Sequence, residues 1–218
     1  MIYDKPLKYW NQVFSKEEVR IPKSSKIPID ALNQAMDWLI HDGDQVLDFG
    51  CGSGSLLFYA ELKGAMNMTG IDLSEKAIEL ANKRASKMSK NYHFIKGDVK
   101  TLAKLKSQTY DSVILSNIID NLTEEDMMTV LREVARLLKD TGRLLIKMND
   151  YIEEKDFNKY HIKVIQKDLL DDGLLLLNKT TTEWKNIFSK WYTIEKADKV
   201  YFESFDASNR IFLLKKSL

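Results

Sequence analysis

The chain has 218 residues, 44% hydrophobic and 30% charged, enough for one large domain with a substantial core. Lysine and arginine total 33 against 32 aspartates and glutamates, so no overall field draws it to nucleic acid or an anionic membrane. Its single cysteine, Cys51, excludes an intramolecular disulfide and a Cys-rich metal site. No apolar run approaches the ~18 residues of a membrane span and the start lacks a signal-like core, so the default expectation is a cytoplasmic protein.

In chain order, the first 26 residues mix Tyr3, Tyr9, Trp10 and Phe14 with charges and run into RIPKSSKIPID, which holds two of the three prolines. They predict a helical cap and an irregular linker. IDALNQAMDWLI places Leu32, Met36 and Leu39 on one helical face. Strand and helix signals then alternate. QVLDFG, NMTGID, YHFIKGD, YDSVILSN and RLLIKMN read as strands. GSLLFYAELKG, SEKAIELANKRASKM and TEEDMMTVLREVARLLKDTG read as helices, with a weak one after YHFIKGD. Ser74 and Thr123 are N-caps, and Gly142 lies beyond the end of the last helix. Five such alternations predict a doubly wound, mostly parallel sheet with helices on both faces.

After Asn149 the pattern changes. In YHIKVIQKDLLDDGLLLLN, Ile162, Val164 and Gln166 alternate with charged residues, and Asp-Asp-Gly is a turn signal; a β-hairpin is favoured over a helix. TTTEWKNIFSKW opens with a capping box from Thr180 to Glu183 and spaces Trp184, Ile187, Phe188 and Trp191 for a core-facing helix. YTIEKADKVYFES and NRIFLLKK, joined by FDASN, predict a terminal antiparallel pair. The whole is a Rossmann-like α/β fold with a seven-stranded sheet and a hairpin insertion.

VLDFGCGSGSL, residues 46–56, holds three of only nine glycines. Such a turn between a first strand and its helix lies where α/β sheets bind ligands. A phosphate loop needs Gly-Lys-Ser/Thr, and Gly54 is followed by Ser55 and Leu56. A dinucleotide fingerprint needs a third glycine where Ser55 stands, so that fit is partial. Asp72 ends the second strand about 20 residues on, suited to ribose hydroxyls, and Asp98 ends the third, suited to an exocyclic amine. Together they describe a ribose-plus-adenine site. The competing explanation is a turn needed only for strand–helix packing.

VLDFGCGSG, GIDLS, GDV, YDSVILSNIIDNL and LLKDTGRLLI resemble, in order, the motifs of the class I S-adenosylmethionine-dependent methyltransferases over roughly residues 30–150. The resemblance implies that Gly50, Gly52 and Gly54 wrap the methionine part, with the small Cys51 inside the same turn and Asp48 beneath the amino group. It implies Asp72 at the ribose, Leu73 on the adenine face, Asp98 at the adenine amine and Val99 at the ring edge. Ser116 and Asn117 would lie beside the methionine chain and the methyl group. Residues 30–149 would then be the cofactor-binding core, 1–29 its cap, 150–180 a lid, and 181–218 the last helix and strand pair.

The expected cofactor is S-adenosylmethionine, the product S-adenosylhomocysteine, and no metal is needed. SNII after the fourth strand is not the Asn/Asp-Pro-Pro-Tyr/Phe of base-amino enzymes, and no Pro-Cys nucleophile is present. With the balanced charge, this favours a small-molecule acceptor over nucleic acid, in a monomer or homodimer. Candidate bases are Asp120, His161 and Tyr151; start of a helix and solvent exposure are the competing roles of the first two. Trp10 and the 150–180 hairpin are expected to close over the cofactor. Two other functions share part of the pattern: a nicotinamide-dependent oxidoreductase, and a nucleotide binder without chemistry.

Overall fold

The structure is a computed structural model that describes residues 2–203 and 207–217. Helix α1 (Asp4–Lys16) is followed by an irregular segment and α2 (Asp30–Leu39). Then come β1 (Gln45–Phe49), α3 (Ser55–Leu62), β2 (Asn67–Asp72), α4 (Glu75–Ala85), β3 (Asn91–Lys96), α5 (Val99–Leu102), β4 (Tyr110–Ser116), α6 (Glu124–Leu137) and β5 (Leu138–Asn149). β6 (Lys163–Gln166), β7 (Leu169–Asp171) and β8 (Leu175–Leu177) precede α7 (Thr181–Phe188), β9 (Tyr192–Phe202) and β10 (Ala207–Lys216).

The main sheet runs β3-β2-β1-β4-β5-β10-β9. Its first five strands are parallel, and β10 is antiparallel to both β5 and β9. A parallel sheet is covered on both faces, so its strands are apolar on both sides. Val46 and Ile114 face a core with α2, α3 and α4, while Leu47 and Leu115 face one with α5, α6 and α7. Reversal of order at β1 and β4 opens the ligand crevice of such sheets beside the glycine turn.

The predicted caps form: Ser74 accepts from Ala77 N, Thr123 from Asp126 N, and Thr180 with Glu183 makes the full box. Trp184 is fully buried, whereas Trp191 lies beyond the end of α7 and is half-buried. Three expectations need correction. Helix α6 stops at Leu137, not near Gly142, because buried Leu138 is already extended and pairs with Tyr110. The single hairpin is two: β6, β7 and β8 form a separate antiparallel sheet, with Gly173 left-handed at the Asp-Asp-Gly turn. The FDASN connection is partly strand, since β10 starts at Ala207; Phe205 and Asp206 lie outside the described residues. Among the described residues no helix is long and apolar enough to cross a membrane.

Candidate active site

The glycine turn is held at its base by the strand next door. Gly50 N and Cys51 N both donate to Ile71 O, at 2.8 and 3.1 Å. All three glycines have positive φ, between 51° and 80°, where a Cβ is strained. Their surroundings differ. A Cβ on Gly54 would strike Phe94 at 2.8 Å, and Gly54 borders neither the cavity nor the cleft described below, so the structure places it against a packed ring. A Cβ on Gly52 would meet Phe14 of α1 at 3.0 Å, in the wall of a cavity.

That cavity, of about 210 Å³, lies over the carboxyl ends of β1, β2, β3 and β4. Gly50, Gly52, Asp72, Leu73, Asp98, Val99, Ser116 and Asn117 all line it. Asp72 Oδ2 accepts from Gly52 N and Oδ1 from Ser74 N, both at 2.8 Å. The carboxylate that borders the cavity therefore also sets the turn, and burial raises its pKa against the pull of those two N–H groups. Asp98 caps α5 by accepting from Lys100 N at 3.0 Å and stays exposed at the rim. Leu73 is 38% exposed over the opening.

Asp48 and Cys51 stand behind the cavity, in a second, more open cleft that shares Gly50, Gly52, Ser116, Trp10 and Phe14 with it. Asp48 is 2% exposed, and its Oδ1 has no hydrogen-bond partner. Burial, reinforced by the nearby charge of Asp72, pushes its pKa up to about 8. A buried carboxylate without a partner costs several kcal/mol unless a cation or donor completes it. Burial and the same two acids raise the Cys51 thiol well above its usual range, so it is no nucleophile.

Helix α1 is the roof. Tyr3, Pro6, Leu7, Trp10 and Phe14 line the cavity from above, with the Trp10 and Phe14 rings stacked 5.7 Å apart. Polar contacts fix the helix along its length. Tyr3 Oη donates to Asp126 Oδ2 at 2.5 Å, Ser74 Oγ donates to Asn11 Oδ1 at 2.7 Å, and Glu17 accepts from buried Arg84 at 2.6 Å.

The remaining candidates are elsewhere. Asp120 is fully buried in a 3-10 turn, where Oδ2 accepts from Asn149 N and Nδ2 at 2.8 and 2.9 Å. It lines neither the cavity nor the cleft and braces the ends of β4 and β5. His161 is exposed with φ 55°, and Tyr151 is 38% exposed. Among the described residues, none from 150–180 lines the cavity. The expected lid is instead a bracket: Leu169, Leu175 and Leu177 join the core beside α6, and Asp171 binds Lys5 of α1 through both oxygens at 2.7 Å. Among cavity residues not anticipated, Ile118 and Leu122 follow β4 and form the apolar wall. Their signal was the apolar spacing of SNIIDNL, which the polar residues there obscured.

The sequence profile described as "Methyltransferase domain" matches residues 40–200. This chain belongs to that family. Its sheet order and glycine turn are those of the class I S-adenosylmethionine-dependent methyltransferases. The ribosomal protein L11 methyltransferase of Dictyoglomus turgidum is 30% identical over 71% of this chain and 44% of its own length. The ubiquinone biosynthesis O-methyltransferase of Dechloromonas aromatica is 30% identical over 57% and 55%. This methyltransferase-family chain thus spans about half the length of those curated relatives. In fold it is similar to the N-methyltransferase NodS of Bradyrhizobium japonicum, solved with S-adenosylhomocysteine: TM-score 0.73 at 13% identity, covering 99% of this chain and 100% of that one.

Proposed function

We propose that the protein transfers a methyl group from S-adenosylmethionine to a small molecule. The observation that carries this reading is the convergence of the glycine turn, Asp72 and Asp98 on one cavity at the carboxyl ends of the parallel strands, with buried Asp48 bordering the cleft behind the turn. Asp72 would hold the ribose and Asp98 the adenine amine, with Leu73 and Val99 on the ring. Gly50, Cys51 and Gly52 would pass the methionine chain toward Ser116 and Asn117, beneath Trp10. When bound, the cofactor supplies a methyl group already activated by its sulfonium sulfur.

The chain's own task is then to position and to exclude water. Holding two reactants in line is worth ~7–11 kcal/mol of barrier, and the roof of α1 with the wall of Ile118 and Leu122 provides the enclosure. Asp120, His161 and Tyr151 are not assigned as bases. The closed roof also supports a small acceptor over a protein segment, although relatives of both kinds of name exist.

Two outcomes test the reading. S-adenosylmethionine or S-adenosylhomocysteine at 100 times its dissociation constant should stabilise the fold by about 2.7 kcal/mol in thermal unfolding, and NAD should not. Stabilisation by NAD alone would make the chain a nicotinamide binder. Asp72→Ala removes the acceptor for Gly52 N and Ser74 N as well as for the ribose. It should cost roughly 1.5–3 kcal/mol of S-adenosylhomocysteine affinity by calorimetry; unchanged affinity in a folded variant would take Asp72 out of the site.

A further inference from the structure

Lys147 is a charged residue where the fold has no evident need of one. It lies in β5 between Ile146 and Met148, is 8% exposed, and makes no ion pair with any described carboxylate. In the sheet it is in register with Ser116 of β4, which lines both the cavity and the cleft. Alternation puts Ser116, Lys147 and Asp48 on the same face as Ile114, Leu145 and Val46.

The ammonium is committed on two sides. It donates to Asn117 Oδ1 at 2.5 Å and to Asn209 Oδ1 at 3.4 Å, and it sits 5.5 Å from the centre of the Phe202 ring. Asn117 is clamped twice, because its backbone N also donates to Lys147 O at 2.7 Å while its φ is 54°. Lysine is a donor only, so the amide oxygen must face the ammonium and the amide nitrogen must face away. Asn117 lines the cavity, and among the described residues nothing accepts from its Nδ2. Burial lowers the Lys147 pKa, opposed by the buried Asp120, but only to about 8, so the ammonium persists at neutral pH.

We propose that Lys147 is a positioning residue for specificity: it locks the Asn117 amide so that hydrogen-bond donors face the methyl acceptor. The site then takes an acceptor whose reacting end carries an oxyanion, a carboxylate or a phenolate, and disfavours an amine. This rests on the methyltransferase reading above. Polarity of this kind discriminates strongly, because a ligand with the wrong group leaves a buried donor unpaired.

The test is binding, at neutral pH, of benzoate, 4-nitrophenolate and benzylamine to the protein loaded with S-adenosylhomocysteine, followed by NMR titration. The wild type should prefer both oxyanions over benzylamine by at least about tenfold, or ~1.4 kcal/mol. Lys147→Met should erase the preference with S-adenosylhomocysteine affinity unchanged, and Lys147→Arg should restore it. Asn117→Asp, which replaces the donors by acceptors, should invert it and covers the case in which Lys147→Met does not fold. No preference in the wild type, or a preference that survives Lys147→Met or Asn117→Asp, overturns the proposal. A parallel fall of S-adenosylhomocysteine affinity in Lys147→Met also overturns it, since the donors would then serve the cofactor. A wild type that binds no S-adenosylhomocysteine at all overturns the methyltransferase reading, and this proposal with it.

Discussion

Removal of residues 1–16 should leave a folded domain that binds S-adenosylhomocysteine at least ~10-fold more weakly and transfers no methyl group. Helix α1 buries no residue completely, and only Tyr3 of its segment packs against either core cluster, so the sheet keeps its hydrophobic support. Ending the deletion at Lys16 spares Glu17, the partner of buried Arg84. The site suffers more. Trp10 and Phe14 roof the cavity, and burying one such side chain is worth ~1.5–3 kcal/mol, or about ten- to a hundredfold in affinity. Turnover falls further than binding, because an open floor of strand ends neither orients an acceptor nor keeps water out. Circular-dichroism melting, calorimetry and product formation on the truncated protein measure the three effects. Full affinity and full turnover would reduce α1 to a structural cap.

Binding of S-adenosylhomocysteine at neutral pH should release close to one proton, and Asp48→Asn should abolish that release. Before binding, Asp48 is held mostly protonated at neutral pH, its pKa raised by burial and by Asp72 to about 8. An ammonium group placed on its unpartnered oxygen favours the carboxylate, so binding lowers the pKa and affinity rises with pH until about 8. Above that pH Asp48 is already ionised before binding and supplies no further gain. The folded pKa of this acid lies above its unfolded value of 3.8, so the empty domain loses stability as pH climbs from about 4 toward about 8. The slope from this one group is ~1.4 kcal/mol per pH unit. Calorimetry in buffers of different ionisation enthalpy counts the proton. A count of zero in the wild type would separate Asp48 from the ligand.

How far the sequence carried this depends on where each feature is encoded. The turn glycines, Asp72 and Asp98 sit within short motifs at strand ends, so chain order alone put them round one crevice. Gly54 shows the limit: the same motif assigned it to the ligand, but its neighbour is Phe94, forty residues away. The lid was half legible. Aromatic residues without a long helical period had to dock somewhere, which α1 does. The 150–180 segment had the right β character and the wrong place, because Leu169, Leu175 and Leu177 find a core that no local pattern names. Lys147 was overlooked inside RLLIKMN, although a lysine in a strand covered on both faces is itself a warning. Its partner Asn117 is thirty residues distant.

The Lys5–Asp171 pair joins the roof to the small second sheet, and neither residue lines the cavity. Apparent affinity scales with the fraction of molecules whose roof is closed. With Lys5 60% exposed, such a pair contributes at most ~1 kcal/mol, about a fivefold change in that population. Drift in residues 163–177 should therefore retune affinity for the proposed methyl donor while leaving the residues that line the cavity untouched. An ornament on the fold becomes a dial for occupancy.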